Sequence, residues 1–130
     1  MQYRYLGLAA ICAVLLTLPV GAHHSHGNYD LTEWVEFEGT LRGIQFLNPH
    51  SFLFLEIEDA AGESAVWTLE ATGPAGIEQN GVQREDVKPG DTIGVRCHIL
   101  VDGSRGCLLG FVTPLHGDTE RGHGVELEWD

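Results

Sequence analysis

Phe46-Leu47-Asn48-Pro49-His50-Ser51-Phe52-Leu53-Phe54-Leu55 is the stretch from which the fold of this chain is read. Its first residues end one strand. Proline fixes its own φ and lacks an N–H, so Asn48-Pro49 interrupts the sheet ladder and turns the chain. A second strand then runs over 51–58, with Leu53, Leu55 and Ile57 on one face and Phe52 and Phe54 on the other. This leaves His50 at the rim of a β structure.

Working toward the N-terminus, the apolar residues of the preceding strand change phase. Val35, Phe37 and Leu41 occupy odd positions, whereas Ile44 and Phe46 occupy even ones, with Gly43 between. One extra residue flips every later side chain, so a β-bulge or sharp bend is expected there. Long, bent first strands belong to small closed barrels. Toward the C-terminus, Asp59 to Glu63 makes a turn, and Ala65, Trp67 and Leu69 alternate along a third strand. Gly73-Pro74 breaks the pattern, and Asn80-Gly81 ends a helix of one or two turns over 75–79. Lys88-Pro89-Gly90-Asp91 has the residues of a type II turn. A fourth strand carries Ile93, Val95, Cys97, Ile99 and Val101 inward, and a fifth carries Cys107, Leu109 and Phe111. The expected fold is all-β, a small five-stranded OB-like barrel with one short helix. A β-sandwich fragment is the alternative, and it would leave long edges open. Residues 33–114 form the barrel domain on this reading.

Both ends of the chain differ from this middle. Arg4 precedes an almost wholly apolar run over 6–20, and Val20-Gly21-Ala22 satisfies the small-residue cleavage rule. Residues 1–22 are read as a secretory signal peptide. The competing reading, a membrane anchor, needs roughly 20 apolar residues, and this run is shorter. No stable membrane span is expected after cleavage, and the expected location is the periplasm or the exterior. Residues 23–32 then form a His-rich mature N-terminal segment. Residues 115–130 are acidic. They are read either as a tail or, because Val125, Leu127 and Trp129 alternate, as a sixth edge strand.

The whole chain has 7 Lys+Arg against 19 Asp+Glu. Removing Arg4 leaves 6 − 19 = −13. Such a surface repels nucleic acid and favours cations or basic partners. Cys12 lies in the leader, leaving Cys97 and Cys107. A three-residue loop, Val101-Asp102-Gly103, places them directly opposite each other, and in an oxidising compartment a disulfide follows. A thiolate metal site is the other reading, but it usually draws on more ligands.

All seven histidines lie beyond residue 22. If His23 begins the mature chain, its α-amine and imidazole form a chelating pair of nitrogens. Their pKa values, about 8 and about 6.5, make both donors near neutral pH. Such ligands suit divalent transition metals, Cu(II) most tightly. His24 or His26 adds an imidazole, and His50 supplies one from the barrel rim, with Asn48 and Ser51 shaping the turn that presents it. The donor set resembles the histidine brace of some secreted copper proteins, although the remainder of the chain does not. A flexible His-rich segment that binds metal without purpose is the plain alternative. His98 points outward on its strand, and His116 and His123 sit near the C-terminus; none of the three is taken as a ligand. Glu56, Glu58 and Glu70 read as a solvated sheet face. No nucleophile elbow, phosphate loop or HExxH motif occurs, so an enzyme is not expected.

Ala22-His23-His24-Ser25, Gly39-Thr40, Asn48-Pro49-His50-Ser51, Val66-Trp67 and Lys88-Pro89-Gly90-Asp91 follow one another in order. With the leader, this order resembles an uncharacterised family of small exported bacterial proteins, a domain of unknown function. The resemblance covers most of the chain up to Pro114 and implies export without implying an activity. The expected function is a non-enzymatic exported binding protein for a divalent transition metal, copper favoured, through His23, His24, His26 and His50. The alternative is a metal-free module for an unknown periplasmic protein or small ligand, using the Phe52/Phe54 face or the barrel rim.

Overall fold

One strand serves two neighbours. The computed structural model describes residues 26–130, and its first strand, β1 (Val35–Gln45), pairs with different partners along its length. Val35 to Thr40 lie opposite Cys97 to Thr92 of β4 (Thr92–Ile99), whereas Thr40 to Gln45 lie opposite Glu56 to Phe52 of β2 (His50–Glu58). The switch falls at the expected bulge: the register slips between Leu41 and Gly43. Leu41 is fully buried, and Arg42 swings outward to Glu56 at 2.5 Å. Gly39 stands at this corner because a Cβ there would lie 2.3 Å from the Glu56 carbonyl oxygen. Only glycine lets the two backbones pass so closely.

The other elements are β3 (Ser64–Thr72), α1 (Pro74–Gln79), β5 (Gly106–Pro114) and β6 (Leu127–Glu128). The sheet order is β3-β2-β1-β4-β5-β6, and a parallel β3–β5 pairing closes the first five strands on themselves. This is the expected closed, OB-like barrel with its short helix between the third and fourth strands. Leu53 and Leu55 of β2, Leu69 of β3, Ile93 and Val95 of β4, and Leu109 and Val112 of β5 point into one core. At the end of β3, Pro74 opens α1, and Ile77, 2% exposed, turns onto that core.

The β4–β5 hairpin departs from the expected three-residue loop. Ile99 faces Cys107 and Cys97 faces Leu109, with a register slip between Arg96 and Cys97. The turn therefore spans Leu100 to Arg105, and Val101 is 68% exposed rather than inward. Two local interactions set this longer turn. Asp102 accepts hydrogen bonds from the Ser104 N–H and hydroxyl at 2.9 and 2.6 Å, with Gly103 at φ 76°. The N-terminal segment also takes the backbone on the strand side, through a Tyr29–Leu100 bridge and a Val101 N–H to Asn28 O bond of 2.9 Å. The cysteines are consequently diagonal neighbours, with Cα atoms 5.8 Å apart and Sγ atoms 2.14 Å apart, at disulfide bonding distance. The slip also turns Phe111 outward, contrary to its expected inward phase, and Val112 takes its place in the core.

Of the two readings of residues 115–130, the structure forms the strand. β6 pairs with β5, Glu128 opposite Phe111 and Leu127 opposite Val112. Trp129 is fully buried. Its N–H bonds Gly110 O at 2.8 Å, and its carbonyl accepts from Thr72 N–H at 3.0 Å. The indole Nε1 has no hydrogen-bond partner among the described residues. Upstream, Arg121 clasps Asp91 and the Glu85 carbonyl, and His116 Nε2 contacts the Asp86 carbonyl at 2.9 Å.

Candidate functional site

The antiparallel β2–β3 register fixes the site. His50 lies opposite Thr72 and Phe52 opposite Glu70, so His50 and Glu70 are diagonal neighbours on the outer face of the barrel. His50 Nδ1 lies 2.5 Å from Glu70 Oε1. Both side chains are largely shielded, with 28% and 20% of their surfaces exposed. The second carboxylate oxygen, Oε2, accepts the Tyr29 hydroxyl at 2.5 Å. Tyr29 is placed there by its bridge to Leu100, and Glu70 by its position opposite Leu108 in the β3–β5 pairing. Three distant parts of the chain thus meet in a row, Tyr29–Glu70–His50.

The electrostatics of that row follow from its burial. Desolvation pushes the Tyr29 phenol well above its ordinary pKa, and the hydrogen bond to Glu70 and the charge of that carboxylate push it further. The phenol therefore stays protonated and donates. A carboxylate held at one oxygen by Tyr29 offers the other to imidazole. An imidazole that gives one ring nitrogen to a carboxylate coordinates metal through the other, the arrangement in which carboxylates orient metal-binding histidines.

The residues expected from sequence are distributed unevenly. His23 and His24, like the leader 1–22, lie outside the described residues. His26 opens the described chain in a 3-10 turn over His26–Asn28, its carbonyl accepting from the Tyr29 N–H at 3.0 Å. His50 opens β2. Among the described residues no group of three His, Cys, Asp or Glu side chains is placed to hold a metal ion. Ser51 does not shape the turn as expected; it faces the core, fully buried, and its hydroxyl has no partner among the described residues. Phe52 and Phe54 are half-buried on the outer face. Of the remaining histidines, His98 contacts the Glu33 carbonyl at 2.7 Å and packs on Trp34 with ring centroids 3.9 Å apart and planes inclined at 35°, while His123 accepts from the Gly117 N–H at 2.9 Å.

Tyr29 and Glu70 were not singled out from the sequence. Glu70 read as one of several solvated carboxylates, yet Glu56 belongs to Arg42 and Glu70 to this row. The signal was in the turn: pairing across Asp59–Glu63 puts Glu58 opposite Ser64 and hence His50 two positions from Glu70.

A family model described as a family of unknown function, DUF6152, matches residues 12–109 of the chain. The chain belongs to DUF6152. The stretch of this DUF6152 protein that matches holds Tyr29, His50, Glu70, Cys97 and Cys107, and it ends before β6 and Trp129. No curated protein and no solved structure matches it. Among its described residues no helix is long and apolar enough to cross a membrane.

Proposed function

We propose that this DUF6152 protein is exported to the periplasm and binds one divalent transition metal ion, copper by preference. His23 contributes its α-amine and imidazole, His50 contributes Nε2, and His24 and His26 assist. The observation that carries the reading is the 2.5 Å contact of His50 Nδ1 with Glu70, itself secured by Tyr29. Ligating histidines characteristically give their other nitrogen to a carboxylate in this way, which fixes the ring and raises its basicity. Chain length is compatible with the ligand set: His23 lies six positions before Tyr29, and with His26–Asn28 in a 3-10 turn this linkage spans at most about 16 Å. The seven histidines and the excess of acidic residues favour cation capture.

The test is a Cu(II) titration of protein beginning at His23, beside a form with one added N-terminal glycine, followed by calorimetry and electron paramagnetic resonance. One-to-one binding is expected, weakened sharply by the glycine and by His50→Ala. Glu70→Gln is expected to weaken it by roughly 10–100-fold, the usual effect of losing such an orienting partner. Binding that ignores the glycine and His50→Ala alike overturns the metal reading and returns the protein to the class of metal-free interaction modules.

A further inference from the structure

Among the described residues, the barrel is covered at one end and open at the other. At the end of β3, Ile77 of α1 and the indole of Trp129 lie over the core, both essentially buried. At the start of β3 nothing comparable is present among the described residues. Phe37, Ile57 and Trp67 continue the inward rows of Leu41, Leu55 and Leu69, yet they are only partly buried. The Phe37 and Trp67 rings meet with centroids 4.7 Å apart and planes inclined at 43°. With Ala65 they line a cavity of about 390 Å³, within the usual size range of small-molecule sites, of which barrel mouths are a common location. Its polar wall carries three carboxylates, Glu58, Asp59 and Glu63, against one guanidinium, Arg105.

We propose that this mouth binds a small organic cation with an apolar body, an aryl- or alkylammonium. Each half of that description has its own cause. The apolar floor removes a hydrocarbon body from water. Aromatic faces attract a cation electrostatically, most strongly where water is excluded, and Trp is the best of them. The local excess of two negative charges, on a chain of −12, concentrates cations and repels an anion of the same shape. A bare metal ion is a poorer occupant. Asp59 Oδ1 is already engaged by the N–H groups of Ala61 and Glu63 at 2.8 and 3.0 Å, and hydrocarbon walls offer no ligands. The site lies at the far end of β3 from His50 and does not depend on the metal proposal.

The probes are benzyltrimethylammonium and, as an anion of similar size, 3-phenylpropionate, each titrated into the full mature protein by calorimetry with tryptophan fluorescence alongside. Saturable binding of the ammonium is expected, with the carboxylate at least about tenfold weaker. Trp67→Leu is expected to weaken the ammonium by about fivefold to tenfold. The surface double variant Glu58→Gln/Glu63→Gln, which leaves the apolar floor intact, is expected to weaken it by roughly threefold or more and to flatten its salt dependence. The proposal is overturned if the ammonium fails to saturate at millimolar concentration, or if the carboxylate binds as well. Indifference of binding to the double variant, folded by circular dichroism, also overturns it.

Discussion

Trp129→Ala is expected to be among the most destabilising substitutions in this protein, although the residue sits beyond the barrel strands. Burying an indole removes about 150–250 Å² from water, which at about 25 cal/mol per Å² corresponds to ~4–6 kcal/mol. The observed cost of Trp-to-Ala changes in cores is about 3–5 kcal/mol. One feature lowers the expectation toward 3: Nε1 is buried without a partner among the described residues, and such an orphan donor already costs about 1–3 kcal/mol in the native state. Trp129→Phe keeps most of the ring area and removes the orphan N–H, so its expected cost is below about 1.5 kcal/mol. Equilibrium urea denaturation followed by far-ultraviolet circular dichroism separates the two, with the midpoint moving and the slope unchanged. For a domain of this size the alanine variant is expected to melt roughly 12–24 °C lower. An alanine variant within about 1 kcal/mol of the parent refutes the claim that this indole completes the core. A phenylalanine variant as unstable as the alanine one refutes the reasoning about Nε1.

Two further outcomes are expected. Cys97 and Cys107 are separated by 10 positions, and closing a loop of that length in the unfolded chain is worth about 2.5–3 kcal/mol in the chain-entropy account; the paired Cys97→Ser/Cys107→Ser variant should lose about that much in the same denaturation assay. The Tyr29 phenol titrates higher in the folded than in the unfolded chain, so its proton is lost first from the unfolded state as pH rises. Its contribution is therefore complete below the ordinary phenol pKa of 10.0 and declines above it, and Tyr29→Phe should show a shallower fall of stability between about pH 9.5 and 11.5.

Much of the barrel was legible because its signals are local. The phase change beside Gly43, the inward row Leu53-Leu55-Ile57, and Pro74 with Asn80-Gly81 each report on a few adjacent residues, and each corresponds to an observed bulge, strand face or helix boundary. The hairpin register was misjudged because its turn is set partly from outside, by Asn28 and Tyr29, and a slip at Arg96/Cys97 then reversed Phe111 and Val112. The alternation of Val125, Leu127 and Trp129 offered a sixth strand, but the burial of Trp129 lay beyond reach for a related reason: it is decided by the gap the indole fills beside Gly110 and Thr72. The candidate site divides in the same way. His50 is announced by Asn48-Pro49, whereas Glu70 and Tyr29 join it only through long-range pairing.

The closure of the barrel has a consequence for how it breathes. β3 and β5 are joined over only Thr68–Gly106, Leu69–Cys107 and Glu70–Leu108, whereas the β2–β3 ladder runs unbroken from His50–Thr72 to Glu58–Ser64. A short seam in an otherwise continuous cylinder is where the fewest hydrogen bonds must break for a local excursion. Glu70 belongs to that seam, and Cys107 anchors its other lip to β4. The seam that closes the cylinder therefore contains the residue that contacts the His50 imidazole.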